Sequence, residues 1–313
     1  MLSLTRGREI ATFLKGRNKS KKIFLYGENN FNKNQIAEIM IPQNKKFSLV
    51  SRNWFKDKKL SKKEIDELKK GIDEDLRISQ ISEPLQQTYD ELIRLIDDKL
   101  KNEMDFNDIE NIHLFPIPQK YSERIYIPAP SGSGKSTFIG DYLKQLRLKY
   151  PKRKIVVFSR VPFDKPIDRF SNLKRIELNY EKFMEEPLEV ESFKNNILIF
   201  DDIDTILNKT LVKYLRNFRD DVLEVGRHYG ITAISTSHII MNFGATRTLI
   251  NEAQAVVLFP RGSSFQQVKG FLERYLGFSN QQIEFIKNLP SRWLFIWKEY
   301  PKYLIYDKGV ILW

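Results

Sequence analysis

The passage that most restricts the fold is Arg124-Ile125-Tyr126-Ile127-Pro128, followed at once by Ala129-Pro130-Ser131-Gly132-Ser133-Gly134-Lys135-Ser136-Thr137. Its first part is β-branched and aromatic, the composition of a strand. Its second part is glycine, serine and proline, which force a turn. The sequence over 135–149 then has the pattern of a helix. A strand, a glycine turn and a helix in that order make a phosphate-binding loop. Gly132 and Gly134 allow backbone turns through which successive N–H groups converge on phosphate oxygens. The helix start adds unpaired N–H groups and a dipole that favours anions. Lys135 supplies a mobile point charge, and the Ser136 hydroxyl suits a magnesium ion. The stretch fits G-x-x-x-x-G-K-[ST] except that Ala129 stands in the first glycine position, at a strand end where a methyl is tolerated. The bland alternative is a glycine- and serine-rich surface turn. Lys135 is expected to be an exposed loop charge.

Two further strand ends share that chemistry. Ile197-Leu198-Ile199-Phe200 runs into Asp201-Asp202. In a parallel sheet its carboxyl end opens on the same edge as the glycine loop. Asp201 would then hold Mg²⁺ through water. Asp202 would orient the water that attacks a terminal phosphate. Ile231-Thr232-Ala233-Ile234-Ser235-Thr236-Ser237-His238 ends in a polar cluster. If this strand lies between the other two, Ser237 or His238 faces the γ-phosphate. Otherwise the acids cap a helix and the histidine is an ordinary surface residue.

Strands over 124–129, 154–159, 196–200, 231–236 and 255–259 alternate with helices over 135–149 and 207–228. Short, nearly unbroken apolar runs mark strands covered on both faces. The fold class is therefore α/β: a mostly parallel sheet flanked by helices. A hairpin is expected around Trp293, Phe295 and Trp297, then Tyr303, Ile305 and Tyr306. Residues 1–60 read as a basic β-rich region, with strands over 22–26, 37–41 and 47–50. Residues 61–110 read as an acidic helical connector, with helices over 61–75 (capped by Ser61 and Glu64) and 84–102. Residues 111–313 form the nucleotide domain.

The 313 residues carry a formal net charge of +12, unevenly spread. Residues 1–63 hold 16 Lys/Arg against 4 Asp/Glu, residues 64–123 hold 7 against 16, and residues 124–313 hold 29 against 20. Basic surface concentrates polyanions such as nucleic acid. It is also what a solvated lysine-rich surface looks like. Trp54 among Arg52, Lys56, Lys58 and Lys59 has the composition of a nucleic-acid contact or of an anchored loop. The absence of cysteine excludes disulfides and thiolate chemistry. No apolar run is long enough for a membrane-spanning helix, and the N-terminus lacks a secretory apolar stretch. An intracellular protein is expected.

The glycine loop (a Walker A motif), the paired acids (a Walker B motif), Gly226-Arg227-His228-Tyr229-Gly230-Ile231 and the polar strand end together resemble the FtsK–HerA branch of P-loop ATPases. Leu114-Phe115-Pro116-Ile117-Pro118 and Ile199-Phe200-Asp201-Asp202-Ile203-Asp204 resemble its genome-packaging members from large double-stranded DNA viruses. The resemblance spans about residues 114–260. It implies a P-loop NTPase fold, ATP with Mg²⁺, double-stranded DNA as partner, a homo-oligomeric ring and contact with a capsid or assembly protein, in host cytoplasm or virion. It further implies Lys135, Asp202 and His238 as catalytic, and an arginine acting on a neighbour's γ-phosphate. Arg227, Arg247 and Arg261, all expected near the active edge, are candidates, with Arg227 preferred. The sequence departs from the family in two places: Asp202 is often Glu there, and His238 commonly Gln. Readings outside the motor class are a nucleoside or nucleotide kinase and a non-hydrolysing ATP-binding scaffold.

Overall fold

A computed structural model describes residues 2–3, 7–15, 19–25, 103–105, 113–240 and 246–312. The strands expected over 37–41 and 47–50, the helices over 61–75 and 84–102, and the Trp54 basic set lie outside these residues. Among the described residues no helix is long and apolar enough to cross a membrane.

The chain opens with β1 (Leu2–Ser3), β2 (Arg8–Lys15) and β3 (Lys22–Leu25), and continues through β4 (Glu103–Asp105) and β5 (His113–Pro116). A small antiparallel sheet has the order β1-β3-β2-β5. The α/β part follows: β6 (Arg124–Pro128), α1 (Lys135–Lys149), β7 (Ile155–Ser159), α2 (Lys165–Asp168), β8 (Leu173–Arg175) and α3 (Tyr180–Glu185). It goes on through β9 (Ile197–Asp201), α4 (Lys209–Val225), β10 (Thr232–Ser237), α5 (Arg247–Glu252) and β11 (Ala255–Leu258). Helices α6 (Phe265–Leu276) and α7 (Asn280–Lys287) lead to β12 (Leu294–Trp297), β13 (Tyr303–Tyr306) and β14 (Gly309–Leu312).

These strands and β4 form one ten-stranded sheet of order β4-β14-β13-β12-β11-β6-β10-β9-β7-β8. The six strands from β11 to β8 pair in parallel, and those from β12 to β4 continue antiparallel. Strand β10 lies between β6 and β9, which is the condition that brings all three polar strand ends to one edge. The two faces of the sheet are covered by different parts of the chain. Ile197 and Ile199 point to a core shared with Phe138, Tyr142 and Leu146 of α1 and with Ile10, Phe13 and Phe115 of the small sheet. Leu198 and Phe200 point to the opposite core, made with α4, α5, α6 and α7. Two covered faces explain why Ile197 to Phe200 is apolar throughout instead of alternating.

Helix α4 shows how local sequence and packing agree. The Asn208 side chain accepts from the N–H groups of Thr210 and Leu211, each at 3.0 Å, and so caps the start. Leu211, Leu215, Phe218 and Val222 then fall on one buried face. Each such side chain stabilises the fold by about 1.5–3 kcal/mol when fully buried. The regular helix stops at Val225, three residues short of the expected end. A 3₁₀ turn over Gly226–Tyr229 follows, and Gly230 at φ 66° reverses the chain into β10. The expected C-terminal hairpin is present as β12 and β13. The two-residue link Asp307-Lys308 adds β14, which makes it a three-stranded meander.

Candidate phosphate-binding site

The loops after β6, β9 and β10 meet at the carboxyl edge of the parallel strands, the usual crevice for ligands in such sheets. After β6, Ala129 is buried and its N–H donates to Ser237 O at 2.9 Å, which ties the glycine loop to β10. Gly132 has φ +77° and Gly134 φ +107°, both in the left-handed half of conformational space. A Cβ on Gly132 would meet nothing within 4 Å, so its backbone angle, and not crowding, calls for glycine. No side chain caps α1 at Gly134, so its first-turn N–H groups are not taken up by a capping side chain there. Ser131 and Thr137 are exposed, Pro130 and Ser136 half-buried, and Ser133 buried.

Lys135 departs from expectation: its side chain is buried, not exposed. Nζ donates to Ala129 O at 2.7 Å and lies 3.2 Å from Asp202 Oδ2. The same carboxylate oxygen is 3.1 Å from His238 Nε2. Lys135, Asp202 and His238 therefore converge on one point although they come from three different loops. Asp202 reaches that point through a left-handed backbone (φ 46°, ψ 38°), a strained conformation that aspartate tolerates better than most residues.

Thr236 organises the acids. Its Oγ1 accepts the Asp202 N–H at 2.8 Å, and lies 2.8 Å from Asp202 Oδ1 and 3.1 Å from Asp201 Oδ1. A hydroxyl has one proton, so it serves only one of those two carboxylates at a time. Ser159 at the end of β7 donates to Asp201 Oδ2 at 2.8 Å. Asp201 is buried. Burial pushes its pKa up, the neighbouring Asp202 adds to the rise, and the Ser159 and Thr236 hydrogen bonds oppose it.

Ser237, one residue on, points to the other face of the pleat. Its Oγ donates to Ile239 O at 2.5 Å and lies 3.2 Å from the Tyr126 hydroxyl. Of the expected pair, only His238 turns toward the acids. The arginines also need correction. Helix α4 runs antiparallel to β9 and β10, so the turn holding Arg227 lies at the amino edge, across the sheet from the glycine loop. Arg247 opens α5, which comes from the carboxyl end of β10 and ends at Glu252, 3.3 Å from Arg124 at the amino edge. Arg261 directly follows the carboxyl end of β11.

Thr236, Ser159 and Arg292 escaped the sequence reading. Residues 236 and 238 alternate onto one face, which could have singled out Thr236. Ser159 needed the strand order. Arg292 Nε donates to Ser133 O at 3.2 Å across 159 positions of sequence, a distance no local pattern spans. The donor set suits a hard divalent cation. Asp201 is a buried carboxylate beside a second one, its pKa raised first by burial and then by Asp202, and Ser136 offers a hydroxyl where α1 begins. Among the described residues no group of three or more His, Cys, Asp or Glu could hold a metal. Magnesium needs no such cage when substrate phosphates complete its shell.

No protein-family model matches the chain. It is 36% identical over 214 residues to "Uncharacterized protein V3" of Sputnik virophage, covering 68% of this chain and 85% of that one. Among solved structures it is similar to the genome packaging NTPase B204 of Sulfolobus turreted icosahedral virus 2 in complex with ATP-gammaS, at 14% identity and a TM-score of 0.41. That match covers 60% of this chain and 98% of the other. It is also similar to the cytoplasmic domain of the Type VII Secretion ATPase EccC of Thermomonospora curvata, at 12% identity and a TM-score of 0.43, over 66% and 28% of the two chains. With its parallel sheet, its glycine loop between β6 and α1, and β10 seated between β6 and β9, the chain has the P-loop NTPase fold and belongs to the family of the Sputnik virophage V3 protein.

Proposed function

We propose that the chain is a Mg²⁺-dependent ATPase that uses hydrolysis to move double-stranded DNA, as in packaging a viral genome. The observation that supports the ATPase reading best is the 3.2 Å approach of Lys135 to Asp202 beside the glycine loop. Main-chain N–H groups over 132–136 hold the β-phosphate. Lys135 leaves Asp202 for the β- and γ-oxygens, where a positive charge is worth most as negative charge spreads in the transition state. Asp202, freed of the lysine but still held by Thr236, orients the attacking water and takes its proton. His238, on the same carboxylate, senses loss of the γ-phosphate. Asp201 and Ser136 hold Mg²⁺, which when bound neutralises phosphate charge. From the amino edge Arg227 can act only on the site of another copy, so a role for it requires an oligomer.

The DNA half of the proposal rests on the net charge of +12, on the motif resemblance described above, and on a relative encoded by a virophage. The test measures phosphate release with no nucleic acid, with double- and single-stranded DNA and with RNA, alongside solution mass in ATP. Stimulation by double-stranded DNA together with a homo-oligomer is expected. A strict monomer that no DNA stimulates would contradict the motor. Phosphorylated nucleoside in place of free phosphate would make the chain a kinase, and tight ATP binding without turnover would make it a scaffold.

A further inference from the structure

Arg292 reaches the glycine loop from the antiparallel extension of the sheet. It precedes β12, and its exposed guanidinium lies 3.2 Å (Nε) from Ser133 O and 3.4 Å (Nη2) from Gly132 O. Its chain neighbours are both fixed. Ser291 is buried and donates to Trp293 O at 2.7 Å. Trp293 packs edge-on against Phe138, in the first turn of α1, at 5.2 Å between ring centroids, and against Phe115 of β5 at 5.4 Å. The backbone that carries Arg292 is thus clamped to the helix that the loop feeds.

In a planar trans peptide the C=O and N–H point to opposite sides. The Gly132 carbonyl shares its plane with the Ser133 N–H, and the Ser133 carbonyl with the Gly134 N–H. The Ser133 N–H closes a turn onto Pro130 O at 3.4 Å, so the group that a guanidinium holding the Ser133 oxygen outward turns toward the concave side, where an anion sits, is the Gly134 N–H. A second contact braces the same stretch. A Cβ on Gly262 would lie 2.7 Å from Ser133 Oγ, so only glycine lets the segment after β11 press against the loop. Ser133 Oγ itself is buried and finds no hydrogen-bond partner among the described residues, so the side-chain hold on this turn comes from the arginine, beside the backbone bond from Ser133 N–H to Pro130 O.

We infer that Arg292 is a positioning residue that presets the glycine loop in its anion-accepting form and so sets the affinity for a nucleoside triphosphate. This rests on the nucleotide site proposed above. It assigns Arg292 no contact with the transferred phosphoryl group, which separates it from an arginine finger. Lysine is a poor substitute, since an ammonium has no rigid fork for two carbonyls.

The test compares wild type, R292A and R292K for binding of a non-cleavable ATP analogue with Mg²⁺, for kcat and KM with ATP, and for Tm. Loss of preorganisation raises Kd and KM about tenfold in R292A. Its kcat stays within about twofold, because uniform binding is what is lost. Its Tm is unchanged, because the side chain is exposed, and R292K recovers only part of the affinity. Equal binding by wild type and R292A overturns the inference. So does a fall in kcat at constant KM, which would put Arg292 on the reacting group. Full recovery in R292K (charge alone suffices) or a large loss of Tm in R292A (a structural residue) would also overturn it. Wild type that binds no nucleotide removes the proposed function and this inference together, a result distinct from the others.

Discussion

The two ends of the parallel strands treat charge in opposite ways. At the amino edge Arg153 is buried, and all five of its N–H donors meet acceptors: the carbonyls of Tyr121 (2.6 Å), Asn195 (3.0 Å), Asn196 (2.7 Å) and Gly230 (2.8 Å), and Thr232 Oγ1 (2.9 Å). Glu123, also buried there, accepts from the Tyr142 hydroxyl at 2.5 Å and from the N–H groups of Lys120 and Gln119. At the carboxyl edge two adjacent carboxylates share one threonine hydroxyl, one of them on a left-handed backbone, and the lysine beside them divides its ammonium between Asp202 and the Ala129 carbonyl. A fully satisfied network holds the fold, whereas a crowded one stores charge that a ligand can relieve. The amino edge is thus a closed hydrogen-bond network, whereas the glycine-loop edge brings two carboxylates, a lysine and a histidine together.

Substitutions at the two edges should therefore separate activity from stability. The largest effect is expected for K135A: ATP turnover falls at least about 10³-fold, the scale of losing a charge aimed at the transferred phosphate. The fold survives, as circular dichroism would report. Near-normal turnover would remove the glycine-loop assignment. D202N comes next, with hydrolysis reduced about 10²–10⁴-fold. Its affinity for the ATP analogue should hold or improve, since Lys135 no longer has a carboxylate to leave; turnover that persists would move the water-orienting role elsewhere. At the other edge R153M takes the arginine donor from the carbonyls of Asn195 and Gly230, and leaves those of Tyr121 and Asn196 only their Thr232 donors. It should cost about 3 kcal/mol, or roughly 6–12 °C in Tm, with kcat per folded molecule unchanged. A silent R153M would erase the contrast.

The smallest change in stability has an unusual sign. Asp201 has a raised pKa, so folding favours its protonated form, and its ionised form at neutral pH weighs against the fold. D201N should thus raise the Tm of the nucleotide-free protein by about 2 °C at pH 7. The gain should shrink as pH falls toward the ordinary aspartate value of 3.8, where the wild-type group protonates too. The same variant should lose Mg²⁺-dependent hydrolysis. A D201N protein less stable at pH 7 would show that the carboxylate is compensated after all.

How far the sequence disclosed this arrangement depended on the range of the interactions. Strand β9 was legible because burial on both faces leaves an unbroken apolar run, and the Lys135 helix because glycines mark where it begins. Arg227 lies away from the active edge because a helix joining two parallel strands returns to the amino edge, carrying whatever ends it there. Thr236 was visible only to a reading that followed the pleat through Ser237. Ser159 and Arg292 depend on which strands are neighbours and on a contact between chain segments far apart in sequence. The burial of Lys135 reflects a pairing across three loops, which no spacing rule encodes.

If a nucleoside triphosphate lies in the loop over 129–137 with its last phosphate beside Asp201 and Asp202, a crystal structure with Mg²⁺ and a non-cleavable ATP analogue should show phosphates against main-chain N–H groups of that loop, with Lys135 Nζ moved from Asp202 onto them. A triphosphate bound elsewhere, or Lys135 still on Asp202 with no phosphate in the loop at saturating analogue, would refute that placement.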